Sequence, residues 1–308
     1  MSVRCFCGIV LVFCFVLFAA PPFIEGYAET DRAVRLTLDC RDQDGAVSGA
    51  RFSLYRIADV LPDRTWSLTD TYAGYPLWLQ DLDSAGLHAL ACTLSGYIAR
   101  DGLSPCDFGI TGDMGQLYFP SRQPEMTAGL YLVIGEPLTV EDTKLLPDPF
   151  LVCLPETDTS GAAFFDVTVF PKFEKRAVWK EAAADLSVEK IWLDDGAKRP
   201  ESINIQLYCD GVVYSTVTLG AEHGWRHTWP SLAAGCSWQV VEDGVPEGYA
   251  VSVDREGQTF LVTNRAYPAG DGTGGVLPQT GRLWWPVPLL TVGGIFFLLA
   301  GRNKRGGT

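Results

Sequence analysis

Histidine is scarce in this 308-residue chain: His88, His223 and His227 are all there are. No G-x-S-x-G elbow, H-E-x-x-H pair, P-loop or G-x-G-x-x-G fingerprint occurs, so the usual scaffolds of hydrolases, zinc proteases and nucleotide enzymes are missing. No C-x-x-C pair occurs either, which excludes a zinc ribbon and a thioredoxin-like redox site. Positive charge is also short, 24 Lys and Arg against 37 Asp and Glu, a formal net charge of -13. Nucleic-acid binding needs clustered basic residues, so nucleic acid is not an expected partner. Neither a metal nor a cofactor is expected. His223 and His227 flank Trp225 in a strand-turn region and read as a solvated turn. The Asp42–Gly45 segment resembles a calcium loop only superficially. Cys40 would occupy its first ligand position and no Glu stands at its twelfth, so a hairpin turn is expected.

What is present is apolar and orderly. Hydrophobic residues make up 47% and charged residues 20%, enough for two ordinary domains with real cores. Arg4 precedes an uncharged apolar run, Cys5 to Ala20, and a small-x-small site follows at Gly26-Tyr27-Ala28. This order predicts a secretory signal peptide over residues 1–28. Three of the nine cysteines leave with it, and Cys40, Cys92, Cys106, Cys153, Cys209 and Cys236 remain. An even number in an exported chain suggests disulfides. At the other end, Leu277-Pro278-Gln279-Thr280-Gly281 precedes an uncharged stretch, Leu283 to Ala300, and then Arg302, Lys304 and Arg305. As a helix the stretch would span about 27 Å, close to a bilayer core, with the basic tail cytoplasmic.

Between the ends the periodicity is mostly two. Strands are predicted over 34–40, 51–58, 129–135, 149–155 and 164–171. One stretch departs from it. From Asp83 to Arg100, Leu87, Leu90, Ala91, Leu94, Tyr97 and Ile98 fall at helical spacing, which predicts an amphipathic helix inserted in a β domain. A Lys-, Glu- and Ala-rich linker is expected near Phe173–Ala184, strands from Leu186 to Arg265, and a Gly-rich spacer up to Val276.

The motif, apolar span and basic tail together resemble the sorting signal of LPxTG surface proteins of Gram-positive bacteria. The resemblance implies that a sortase transpeptidase attacks the Thr280 carbonyl and releases Gly281 onward. An amine of the peptidoglycan precursor, or of another pilin subunit, then resolves the acyl-enzyme. The chain would pass through a membrane-inserted precursor and end as a secreted, cell wall-anchored protein.

Residues 186–265 resemble the Cna B-type domain through VEKIW at 188–192, INIQLYCDG at 203–211, WQVVEDGVPEGY at 238–249 and FLVTN at 260–264. That implies an Ig-like β-sandwich and a spontaneous isopeptide bond between Lys190 and Asn264, assisted by Glu242. Alternation points the same way, since each of the three shares a strand face with apolar neighbours: Val188 and Trp192, Phe260 and Val262, Trp238 and Val240. Burial would lower the Lys pKa and raise the Glu pKa. The alternative is a buried ion pair with Asn264 as a hydrogen-bond partner. Val241 and Leu261, on the opposite faces, are apolar too, so the alternation is imperfect.

Residues 33–172 resemble the N-terminal domain of SpaA-type pilins through GARFSLYRIADV at 49–60, TAGLYLV at 127–133, PFLVCLP at 149–155 and FFDVTVFPK at 164–172. This implies a second Ig-like sandwich. Its opening strand holds Arg35 but no lysine, and Lys144 reads as a loop residue, so no first-strand isopeptide is expected. Lys172 follows Pro171 where a pilin motif carries its acceptor lysine. Phe170 stands in place of its tyrosine, Ala163 in place of its tryptophan and Phe173 in place of its asparagine. Cysteine parity with core positions predicts a Cys209–Cys236 disulfide. In the first domain Cys40–Cys153 and Cys92–Cys106 are expected, although four cysteines allow three pairings and buried free thiols are the alternative.

The expected architecture is all-β: two Ig-like (Cna B-type) sandwiches in tandem, the first with an inserted helix. The boundaries are a signal peptide at 1–28, a pilin-type domain at 29–175, a linker at 176–185, a Cna B-type domain at 186–266, a spacer at 267–276 and a sorting signal with transmembrane helix at 277–308. The expected role is that of a pilin subunit or pilus-like stalk and not an enzyme. A monomeric wall-anchored adhesin for a host matrix protein or glycan is the alternative.

Overall fold

The computed structural model describes residues 32–267, apart from 43–44, 62–64, 81, 159, 178–182, 197–198 and 234. The expected signal peptide, the LPQTG motif, the apolar stretch after it, the basic tail and nearly all of the spacer lie outside the described residues, as does the middle of the expected linker. Among the described residues no helix is long and apolar enough to cross a membrane.

Up to Ala177 the elements are β1 (Arg35–Asp39), β2 (Arg41–Asp42), β3 (Gly45–Ala46), β4 (Arg51–Val60), β5 (Trp66–Leu68), α1 (Ser84–Asp101), β6 (Asp107–Ile110), β7 (Gln116–Phe119), β8 (Gly129–Gly135), β9 (Leu138–Val140), β10 (Thr143–Pro147), β11 (Phe150–Leu154), β12 (Glu156–Thr157), β13 (Ala163–Phe164), β14 (Asp166–Val169) and β15 (Phe173–Ala177). β2 and β3, on either side of residues 43–44, pair antiparallel with Asp42 opposite Gly45. The main sheet runs β11-β8-β4-β5, with β6 also on β4, and a second runs β14-β1-β7. Phe52, Leu54, Tyr131 and Val133 fill a core with Leu36, Leu38 and Phe119. Tyr55, Ile57, Leu130 and Leu132, on the other face of the main sheet, join a different core under α1. Covering both faces is why Gly129–Val133 is buried without alternation.

Two expectations are corrected here. The 164–171 run is not one strand. β13 pairs with β12 and β14 with β1, and the chain changes sheets at Phe165, whose side chain is buried and whose carbonyl accepts from the Arg35 amide. The start of the expected linker is also a strand, since β15 pairs along the whole of β10, with Lys144 opposite Arg176. Phe173 anchors β15 by its edge-on contact with Phe52, with ring centroids 6.4 Å apart. Lys144 therefore lies on a strand and not in a loop.

α1 is held at both ends. The Asp83 side chain caps it by accepting from the Gly86 amide at 2.8 Å, and Gly102 ends it in the left-handed conformation at φ 62. Leu90, Ala91, Leu94, Tyr97 and Ile98 are buried as the spacing predicts. Ala89, Thr93, Ser95 and Gly96 are buried too, so the helix is covered over more than one stripe.

The remaining strands are β16 (Ala184–Leu193), β17 (Ser202–Cys209), β18 (Val212–Gly220), β19 (Arg226–Leu232), β20 (Trp238–Asp243), β21 (Tyr249–Glu256) and β22 (Thr259–Ala266). They form an Ig-like sandwich of a four-stranded sheet, β19-β16-β22-β21, and a three-stranded sheet, β18-β17-β20. β16 and β22, first and last in sequence, lie parallel side by side, as β1 and β14 do in the earlier part. β20 and β21 are the terminal strands of their sheets, and α1 packs on both, in a core that also holds Val240, Val241, Val251 and Val253.

Candidate functional site

Alternation along β16, β22 and β20 turns Lys190, Asn264 and Glu242 into the sandwich core, with residue exposures of 5%, 0% and 1%. Parallel pairing sets Lys190 opposite Val262 and Trp192 opposite Asn264, so the lysine reaches along the sheet toward the asparagine. Glu242 comes from the facing sheet. Its Oε2 lies 3.3 Å from Lys190 Nζ, and its Oε1 accepts from Asn264 Nδ2 at 2.8 Å. The structure thus brings these three residues together in one buried cluster.

The electrostatics follow from the burial. Desolvation is the largest influence on both ionisable groups. It lowers the Lys190 pKa to about 8, against the opposing pull of the Glu242 charge, and it raises the Glu242 pKa. Both shifts favour the uncharged amine and the uncharged acid. Glu242 Oε2 and Asn264 Oδ1 are buried without a hydrogen-bond partner, so the site holds an acceptor in need of a proton donor. Lys190 Nζ also donates to the Val262 and Ile191 carbonyls at 3.3 and 3.4 Å.

Trp192 was legible only as a core neighbour. Its ring centroid lies 4.4 Å from Lys190 Nζ, and Trp225 and Tyr249 meet it edge-on. The Tyr249 hydroxyl in turn donates to Asp194 Oδ2 at 2.5 Å. This aromatic group keeps water from the amine, which sustains the low lysine pKa.

Cys209 and Cys236 are joined, with Cα atoms 5.4 Å apart, and tie the end of β17 to the start of β20. The other expected pairs are not brought together. Cys40 belongs to the core between the two N-terminal sheets, whereas Cys153 packs toward the core under α1 on the opposite face of the main sheet. Cys92 contacts His88 on its own helix, and Cys106 donates to the Leu54 carbonyl. Burial holds the Cys40 and Cys92 pKa values up at about 12, so both stay as thiols. Replacing Cys209 and Cys236 together by alanine is expected to cost about 3–4 kcal/mol, the chain-entropy value for the 27-residue separation. Denaturant unfolding at equal pH would read it.

Lys172 is exposed between β14 and β15, with its backbone carbonyl bound by the Asp148 amide at 3.0 Å. Thr280 and the rest of the LPQTG motif lie outside the described residues.

Residues 186–265 match the family model of the Cna protein B-type domain. The chain therefore carries a Cna B-type domain, and the buried trio lies within it. Over 92 residues the chain is 34% identical to a collagen adhesin of Staphylococcus aureus, which is 27% of this chain and only 8% of that protein's length. Among solved structures it is similar to a single B repeat unit of the collagen-binding surface protein of the same organism. That match has 16% identity, 77% and 99% coverage of the two chains and a TM-score of 0.27. The full-length major pilin SpaD of Corynebacterium diphtheriae is similar at 12% identity, 77% and 98% coverage and a TM-score of 0.28. Overlays this partial carry no argument about activity.

Proposed function

We propose that this protein is a sortase-anchored surface protein of pilin type, built as two sandwiches in tandem, whose Cna B-type domain locks itself with a Lys190–Asn264 isopeptide bond. The buried contact of Lys190, Glu242 and Asn264 inside the family-matched segment carries the reading. The lysine ammonium first passes a proton to Glu242, which leaves two neutral groups where burial disfavours charge. The neutral Lys190 Nζ then attacks Asn264 Cγ. Protonated Glu242 polarises the carbonyl through the unpartnered Oδ1. The attacking Nζ gives up one proton, which Glu242 relays to Nδ2. The Cγ–Nδ2 bond then breaks, the Nζ–Cγ amide forms, and Nδ2 leaves with its own two protons and the relayed one as ammonia. Fixed proximity supplies roughly 7–11 kcal/mol of such a barrier. Each chain reacts once and nothing turns over, so this is maturation and not enzymic activity.

Anchoring rests on the LPQTG motif, the apolar stretch and the basic tail. Polymerisation rests on Lys172, whose exposure leaves its amine open to a sortase-held Thr280 carbonyl of another subunit. Two measurements test the proposal. Intact mass of the purified protein should be short by one ammonia, and wall-released protein should end at Thr280. An unshifted mass rejects the crosslink, and recovery only of membrane-held protein still containing Ala300 rejects the anchoring. Co-expression with the cognate sortase should give a ladder of covalent multimers on a denaturing gel. A ladder that survives Lys172→Ala excludes Lys172 as acceptor. The identity to a collagen adhesin supports the second reading, a monomeric matrix-binding adhesin, which would give no ladder and would retain collagen on the purified ectodomain.

A further inference from the structure

Every sandwich of this kind has two edges, and in the Cna B-type domain the edge formed by β20 and β21 is closed by a foreign element. Val241, Val251 and Val253 are 3%, 2% and 4% exposed, although β20 and β21 have no strand beyond them within their sheets. α1 covers Val241 on the outer face of β20, whereas Val251 and Val253 share the inward face of Asn264 and Val262, and it is their backbone that α1 and the segment leading into it meet. Gly96 sits so close to β20 that an added Cβ would lie 2.9 Å from Val241 Cγ2 and 3.4 Å from the Val240 carbonyl oxygen. Ser95 Oγ accepts from Gln239 Nε2 at 2.7 Å. The outward amides of β21 are bound as well. Val253 donates to Thr93 Oγ1, and Val251 to the Pro76 carbonyl, both at 2.8 Å. Thr93 and Ser95 are each only 3% exposed, so these are interior contacts.

Of the strands so held, β20 carries Glu242, and β21 is the outer neighbour of β22, which carries Asn264. Val241 immediately precedes Glu242, and β20 has only β17 as a strand neighbour, with Ile205 opposite Glu242. Val251 is the cross-strand partner of Asn264. Lys190, on interior strand β16, is flanked by β19 and β22.

We propose that docking of α1 on the β20–β21 edge positions Glu242 and Asn264, so that the Lys190–Asn264 bond forms only after the N-terminal part of the chain has folded against the Cna B-type domain. Gly96 is the positioning residue of this interface. The inference rests on the crosslink proposed above. Its physical basis is that an unpaired edge strand frays and an exposed apolar edge repacks, and that displacements near 1 Å cost such reactions on the order of 100-fold. The maturation of the protein would then report that both parts of the chain are folded.

The test uses the whole chain made by cell-free synthesis, with ammonia loss followed by intact mass over time. Gly96→Leu overpacks the interface while raising helix propensity, so any loss is not due to a weakened helix. It is expected to slow ammonia loss on the order of tenfold or more. Adding Val241→Ala, which opens the space opposite, is expected to restore most of the rate. Hydrogen exchange at the Val251 and Val253 amides in an Asn264→Ala background, where no crosslink forms, reads docking alone and should rise with Gly96→Leu. Wild-type protein that never loses ammonia removes the crosslink and this inference together. Ammonia loss at the wild-type rate in Gly96→Leu, with exchange raised, overturns this inference alone. So does slowing that Val241→Ala fails to relieve.

Discussion

Replacing Glu242 with alanine is expected to abolish ammonia loss and to produce the least stable single variant of the Cna B-type domain. Two effects act together. Without the carboxyl group, no neighbouring acid takes the lysine proton or polarises the Asn264 carbonyl, so the amide does not form. The Lys190 amine then stays in a site where its side chain is 0% exposed and its partner at 3.3 Å is gone. Removing one member of a buried ion pair costs about 3–5 kcal/mol because the other charge is left uncompensated. For a domain of this size that lowers the melting temperature on the order of 15 °C or more, before the lost covalent tie is counted. Calorimetry beside intact mass would show both effects. Glu242→Gln should also fail to crosslink but should melt higher than Glu242→Ala, since it fills the space and keeps an acceptor for Asn264 Nδ2. A Glu242→Ala protein that still loses ammonia would exclude this carboxyl from the reaction.

The second large effect is one of pH. Asn264→Ala cannot form the bond but keeps the Lys190–Glu242 pair, so its stability should carry the signature of both shifts. Lys190 is lowered by desolvation to about 8, from 10.5. Between those values the unfolded chain binds more protons than the folded one, so unfolding free energy rises with pH. The slope approaches about 1.4 kcal/mol per pH unit, roughly 3 kcal/mol across the window. Glu242 is raised from 4.5 by desolvation, so its contribution has the opposite sign. The folded form holds the proton longer, and stability falls as pH climbs above 4.5. A minimum near neutral pH, with recovery toward pH 10, is the expected profile in urea denaturation. A control lacking both groups, Lys190→Met with Glu242→Gln added to Asn264→Ala, should lose the minimum. A flat profile in Asn264→Ala itself would show that the pair is solvated and not buried.

The order in which these parts mature has a consequence for handling the protein. If α1 closes the β20–β21 edge, the Cna B-type segment expressed alone presents Val241 to water together with two unbound edge amides, those of Val251 and Val253. Such an edge is a template for pairing with other chains. The cleft of about 390 Å³ beside the same interface, lined by His88, Asp148, Asp254 and Arg255 among others, shows that the two parts meet through polar as well as apolar groups. His88 Nδ1 lies 3.1 Å from Asp254 Oδ1 across it.

Much of the site was legible in the sequence because β-strands alternate. Lys190, Glu242 and Asn264 each lie among apolar residues two positions away, and a polar group on a buried face demands partners. Cys209 and Cys236 were legible for the same reason. The helix was legible from its 3.6-residue spacing, and the structure added its caps, Asp83 and Gly102. Where alternation failed, as at Val241 and along Gly129–Val133, the sequence marked a second covered face without saying what covered it. Only the tertiary structure decided that α1 covers Val241, because helix periodicity tells which side is apolar and not which of two neighbours it meets. The cysteines of the N-terminal part were decided the same way. Cys40 and Cys153 both read as strand residues, but they face different cores on opposite sides of one sheet, and spacing along a chain holds no information about which side of a sheet a distant strand lies on. Phe173–Ala177 read as a linker because its alternation is carried by charged residues, and it became a strand only through the edge that β10 offers it. Local periodicity thus determined most of the elements and marked the buried polar positions, and the resemblance to the Cna B-type domain singled out the reactive groups among them. Long-range packing determined which faces meet, because that choice depends on contacts between segments that no local pattern encodes.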